Sequence, residues 1–162
     1  MSMFENNQYR WRETYFVLFQ SSKLPPGKKL QEAILSLSSR YTLTNLRADD
    51  QGKFESLTVL SPDDFAALDV CYVEGDEVRE QVDAIADELK TLDMRADDRA
   101  RIERIRKCDA RFDVLHFEQI ADADDADELD EMLDPSALLV VLEALAGLTD
   151  GIAVDPQSGA LL

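Results

Sequence analysis

Residues 9–37, YRWRETYFVLFQSSKLPPGKKLQEAILSL, begin the fold with a strand followed by a helix. The segment 9–20 is rich in aromatic and β-branched side chains at consecutive positions, which is typical of a strand covered on both faces. Two prolines and a glycine at 25–27 then end the extended structure. Apolar residues resume at the three- and four-residue spacing of an amphipathic helix, at Leu30, Ala33, Ile34 and Leu37.

The next part of the chain predicts a β-hairpin, a short helix and a further strand. Segments 41–46 and 54–60 flank the turn sequence ADDQG, so we expect them to pair with each other. A hydroxyl cap at Ser61, followed by a proline, predicts a short helix that continues through Ala67. Residues 68–74 then return to a strand.

The clearest helical pattern begins at Asp76, directly after a glycine. Its apolar residues fall at alternating steps of four and three, at Val78, Val82, Ile85, Leu89 and Leu92. This phase is interrupted at 93–98, which predicts a break followed by a second, basic helix that ends at Lys107.

The last third of the chain contains two strands, an acidic segment and a helix. Residues 111–119 are a strand candidate, and the stretch 121–133 is so rich in carboxylates that we expect a flexible acidic loop. Asp134 and the proline after it predict the start of a helix that ends at Gly147. A strand at 151–154 and a turn are expected to form a hairpin with Ala160 to Leu162.

These elements together predict a single α+β domain over residues 1–162, a length that suits one globular core. The order indicates a mixed, mostly antiparallel sheet with a ferredoxin-like βαββαβ core. A short helix and a strand are inserted before the long helix, and a helix plus hairpin extends the C-terminus. This topology hosts many unrelated functions and therefore predicts none.

Charge is distributed unevenly along the chain. Residues 1–60 carry eight Lys or Arg and six Asp or Glu, whereas residues 61–162 carry nine and twenty-eight, for a net charge of −17. Because binding to a nucleic-acid backbone depends on Lys and Arg, nucleic acid is an unfavourable partner for this chain.

The sequence also bears on the compartment. It contains no apolar run of about 18 residues, and its first residues include no apolar signal region, so we expect neither a membrane span nor secretion. The two cysteines are far apart and form no C-x-x-C motif, so no disulfide framework is predicted. The expected location is the cytoplasm.

Candidate catalytic and cofactor sites are few. A thiolate and imidazole pair between Cys71 and His116 would require their two strands to be neighbours. The turn at 23–29 lies where a phosphate loop would lie, but it lacks both the first glycine and the hydroxyl of that motif, so a plain turn is the simpler interpretation. No cofactor is predicted.

Carboxylates supply the only candidate metal ligands. These are Glu74 and Asp76 at the start of the long helix, and Asp122 and Asp124 in the acidic stretch. The first pair also suits the positive end of a helix dipole, and the second lacks the glycine and glutamate of a calcium loop.

The favoured interpretation is a non-catalytic interaction or regulatory module that self-associates, with a homodimer expected. Its contact residues would be the cationic run Arg99, Arg101, Arg104 and Arg106 together with the apolar helix face Val78, Val82, Ile85 and Leu89, or a sheet edge. Two alternatives stay open: a small metal-dependent hydrolase that uses the acidic residues, and an acidic mimic of nucleic acid.

Overall fold

A computed structural model describes residues 9–62, 66–90, 96–119 and 136–155. Within these ranges the chain has six strands and four helices. The strands are β1 (Tyr9–Phe19), β2 (Thr42–Ala48), β3 (Phe54–Ser61), β4 (Ala66–Glu74), β5 (Ala110–Gln119) and β6 (Ile152–Val154). The helices are α1 (Gly27–Leu35), α2 (Asp76–Lys90), α3 (Ala96–Arg106) and α4 (Ser136–Thr149).

The strands form one sheet in the order β2-β3-β4-β5-β1-β6. Every pairing in the described part of the chain is antiparallel, so the sheet is not mixed as predicted. The α+β class is confirmed. The ferredoxin-like βαββαβ core is not confirmed, because β5 returns between β4 and β1 and leaves β1 with β5 and β6 as its neighbours.

Helices cover both faces of the sheet. On one side, called here the α1/α4 face, Leu30 and Ile34 of α1 and four apolar residues of α4 pack on Val17, Phe19 and Phe112. On the opposite side, called the α2/α3 face, apolar residues of α2 and α3 pack on Leu18 and on β6. Burial on both faces explains the continuous apolar run that begins the chain.

Local signals account for most element boundaries. The β2–β3 hairpin forms as predicted, with Asp49 Oδ1 accepting the backbone N–H groups of Gln51 and Lys53 and Gly52 at a φ of 83°. Gly75, at a φ of 118°, turns the chain from β4 into α2.

Some predicted boundaries differ from those in the structure. The short helix through Ala67 is wrong at its end, because Ala66 and Ala67 are already part of β4. Helix α4 continues beyond Gly147 to Thr149, and the left-handed residue that follows it is Asp150, at a φ of 52°. The acidic loop at 121–133 and the return strand at 160–162 lie outside the described residues.

None of the helices within the described ranges is both long and apolar enough to cross a membrane.

Candidate functional site

The apolar face of α2 is directed into the protein. Val78 and Val82 are 0% exposed and pack with Ile102 and Ile105 of α3 against the sheet. Ile85 is partly buried against the same cluster, while the side chain of Leu89 lies outside the described part of the chain. Packing within the chain therefore occupies this face, and a sheet edge is the remaining predicted contact surface.

The cationic run is largely paired with acids of the same chain. Arg106 donates to Asp87 Oδ1 at 2.7 Å and lies 3.7 Å from Asp83 Oδ1, which joins α3 to α2. Arg104 donates to the backbone oxygen of Asp150 at 2.8 Å. Arg99 is exposed at the start of α3, and Arg101 lines a groove described below.

The metal candidates do not converge in the described residues. Glu74 accepts hydrogen bonds from Lys53 Nζ at 2.8 Å and from the Tyr72 hydroxyl at 2.5 Å, and these bonds lower the pKa of its carboxyl. Asp76 is exposed in the first turn of α2. Asp122 and Asp124 lie outside the described ranges, within which no three His, Cys, Asp or Glu side chains could hold a metal ion.

The structure does not bring Cys71 and His116 together. Leu68 of β4 lies directly opposite His116 of β5, so these two side chains share the α1/α4 face. Side chains alternate along a strand, so Cys71, three residues after Leu68, is directed to the opposite face. The sheet itself separates the thiol from the imidazole.

The pKa values of both cysteines are raised, although Cys108 is buried and Cys71 only partly so. Burial raises the pKa of Cys71 to about 11, and Asp69 and Asp113 raise it further. Burial likewise raises the pKa of Cys108 to about 11, and its Sγ donates to the backbone oxygen of Arg104 at 3.4 Å.

We therefore expect slow thiol chemistry. At pH 8 only about one thiol in a thousand is ionised at such a pKa, so reaction of the native protein with a disulfide reagent should be roughly 100-fold slower than that of glutathione. Unfolding in guanidinium should release both thiols to react at ordinary rates. A native rate equal to that of glutathione would contradict this assignment.

The turn between β1 and α1 contacts two other parts of the chain. Lys23 Nζ lies 3.1 Å from Asp150 Oδ2, and the Gly27 N–H donates to the Gly52 backbone oxygen at 3.1 Å. The turn therefore fastens α1 to the β2–β3 hairpin.

A group of charged side chains on β1 and β5 was missed by the sequence analysis. His116 and Glu118 are 1% and 4% exposed, two residues apart on the same face of β5. Glu13 Oε1 accepts a hydrogen bond from His116 Nδ1 at 3.0 Å, which assigns the proton to Nδ1 because a carboxylate can only accept. Arg12 Nη1 donates to Glu118 Oε2 at 3.2 Å, and Arg10 contacts Glu118 Oε1.

A β-bulge brings these side chains together. In a regular strand, residues 12 and 13 would be directed to opposite faces. The register between β1 and β5 shifts between Trp11 and Glu13, and such an extra residue redirects the side chains around it. Arg10, Arg12 and Glu13 therefore all reach the buried acid and imidazole of β5.

A groove lies along β6, the outermost described strand on its side of the sheet. It has a volume of about 400 Å³. Gly151, Ile152 and Ala153 form its floor, and Arg101 and Arg104 of α3 form one wall. The opposite wall belongs to α4, whose residues Leu139, Leu142, Glu143 and Ala146 recur at helical spacing.

Backbone groups of β6 are directed into this groove. The Phe19 carbonyl accepts a hydrogen bond from the Asp109 backbone N–H, so the backbone groups of Phe19 are directed to the β5 side of β1. Because these groups alternate along a strand, the N–H and C=O of Leu18 are directed to the other side, where β6 lies. Leu18 pairs with Ile152, and alternation then directs the N–H and C=O of Ala153 away from β1. The edge thus presents a donor and an acceptor between the two helical walls.

No family model, curated protein or solved structure matches the chain.

Proposed function

We propose that this chain is a non-catalytic interaction module that forms a homodimer by pairing β6 of one copy with β6 of a second copy. The apolar surface of α4 beside an outermost strand is the observation that carries the proposal. Its sequence, SALLVVLEALAGLT, contains one charged residue, in a chain in which 31% of residues are charged. Leu139 and Val140 are 51% and 38% exposed on it.

The symmetry of a dimer explains why these residues would meet. A two-fold axis perpendicular to the sheet relates antiparallel edge strands and keeps each face of the sheet on its own side. Helix α4 of one copy then lies beside α4 of the second copy. Leu139 of both copies then loses water, which is the main favourable term in association.

Salt dependence distinguishes this interface from one based on charge. Each copy carries a net charge of −17, so the two copies repel each other at low ionic strength. Salt screens this repulsion and leaves the apolar contact in place, so dimerisation should strengthen from 50 mM to 1 M NaCl. An interface in which cations of one copy pair with acids of the other would weaken over the same range.

The test is the mass of the protein in solution for wild type and Leu139→Glu. A charge at the centre of the apolar contact should weaken dimerisation by at least about 30-fold, the effect of a strong hot spot. Sedimentation equilibrium at 1 M NaCl measures the dissociation constant, and circular dichroism checks that the variant is folded.

Leu46→Glu is the matched control. Leu46 is 38% exposed on β2, at the opposite edge of the sheet, so the variant adds the same charge away from the proposed contact. It should dimerise like the wild type. A wild type that is monomeric at all salt concentrations, or dissociation by Leu46→Glu and not by Leu139→Glu, would overturn the proposal.

A further inference from the structure

A second concavity, with lining residues different from those of the β6 groove, lies where β1 ends and β5 begins. It has a volume of about 480 Å³, which is within the usual range of small-molecule sites. Side chains from three parts of the chain line it: Ser21 and Ser22 after β1, Arg79 of α2, and Arg106, Lys107 and Asp109 between α3 and β5.

Two of its cations are available to a ligand. The Arg106 guanidinium is bound to Asp87 and lies near Asp83, so its charge is largely compensated. Arg79 is 64% exposed, and its ion pair with Asp109 Oδ2 is long, at 3.8 Å, so much of its guanidinium is open to solvent. Lys107 is exposed and forms no ion pair with any residue in the described ranges.

Two acids line the concavity, Asp83 and Asp109. Asp83 is 64% exposed and its Oδ1 lies 3.7 Å from Arg106, whereas Asp109 is held by hydrogen bonds. Asp109 accepts the Ser21 N–H at 2.7 Å and the Ser21 hydroxyl at 2.8 Å. Burial acts to raise the pKa of Asp109, but these bonds and the nearby Arg79 outweigh it and hold the pKa below its ordinary value. Asp109 thus orients the segment that carries Ser22, and its charge is shared between the Ser21 hydrogen bonds and Arg79.

We propose that this concavity binds the phosphate group of a small molecule, with Arg79 and Lys107 compensating its charge and the Ser22 hydroxyl donating to a phosphate oxygen. The two cations belong to different elements and flank one cavity, which suits a ligand of two negative charges. The volume leaves room for an attached organic group.

The charge of the whole chain restricts the ligand to small molecules. At physiological ionic strength electrostatic interactions are screened beyond about 8 Å, so a small phosphate interacts mainly with the nearby cations. A nucleic-acid backbone would extend beyond them onto a surface with a net charge of −17.

The experiment is a titration of the ¹⁵N-labelled full chain with pyrophosphate at constant ionic strength. Amide shifts should be concentrated at Ser21, Ser22, Arg79 and Lys107, with a dissociation constant on the order of 1 mM, as expected for a few charge-assisted hydrogen bonds on an open surface. Replacing both Arg79→Gln and Lys107→Gln should weaken binding at least about tenfold.

Replacing both Lys28→Gln and Lys29→Gln provides the matched control. These lysines are exposed on α1, on the opposite face of the sheet, and their loss changes the net charge by the same amount. Binding by this control should equal that of the wild type. Shifts absent from the concavity, or equal weakening in both double variants, would overturn the proposal.

Discussion

Replacing Arg10 and Arg12 together with alanine is expected to lower the free energy of unfolding by about 3 kcal/mol, the cost of leaving a buried charge without its partners. The Glu118 side chain is only 5% exposed, and both arginines reach its carboxylate from β1. In the double variant this carboxylate loses two described cationic partners. Urea denaturation followed by circular dichroism measures the loss.

A third substitution isolates the cause. Adding Glu118→Leu removes the buried charge, so the triple variant should recover much of the lost stability. Replacing Lys28 and Lys29 with alanine also removes two positive charges, but from exposed positions on α1, and should change stability by less than about 1 kcal/mol. A triple variant no more stable than the double would show that charge burial is not the reason.

The elements could be predicted from the sequence because their signals are local. Spacing identified α1, α2 and α3, and the turn at 49–52 identified the β2–β3 hairpin. The strand order could not be predicted in the same way, because it depends on contacts between distant segments. β1 pairs with β5, about 100 residues later, and no periodicity within either strand indicates that choice.

The short helix was predicted to extend too far because tertiary pairing overrides a local signal at its end. Ser61 and the proline after it are good helix-starting residues. Ala66 and Ala67, however, pair with β3 on one side and with β5 on the other. Two neighbouring strands thus stabilise the extended conformation of residues that prefer a helix in isolation.

The candidate sites were predicted less well than the elements. An apolar helix face has the same sequence pattern whether it packs on its own sheet or on a second chain, so the pattern of α2 could not show that Val78 and Val82 are buried within the chain. The charged group around Glu118 depends on a β-bulge that changes which face of the sheet the side chains of β1 occupy. No residue in this segment of the sequence indicates that bulge. The sequence did carry one sign of an unusual surface, since the segment that forms α4 contains a single charged residue.

Replacing Gly151 with alanine is expected to destabilise the protein by about 2 kcal/mol, through overpacking against a backbone that cannot yield. A Cβ at this position would lie 2.6 Å from the Leu18 carbonyl oxygen and 3.1 Å from Phe19 Cβ. Both residues belong to β1, which is fixed by pairing on its two sides. The clash must therefore displace β6, so the variant should also weaken the dimer proposed to form along that strand.

Gly147→Ala is the control for this prediction, because it makes the same change four residues earlier. A Cβ there meets no atom within 4 Å, and the position lies inside α4. Alanine should stabilise the helix by up to about 1 kcal/mol, since it restricts the unfolded chain more than glycine does. Thermal unfolding of the two variants should thus shift in opposite directions, and a Gly151→Ala variant as stable as Gly147→Ala would mean that β6 can move away from β1 at little cost.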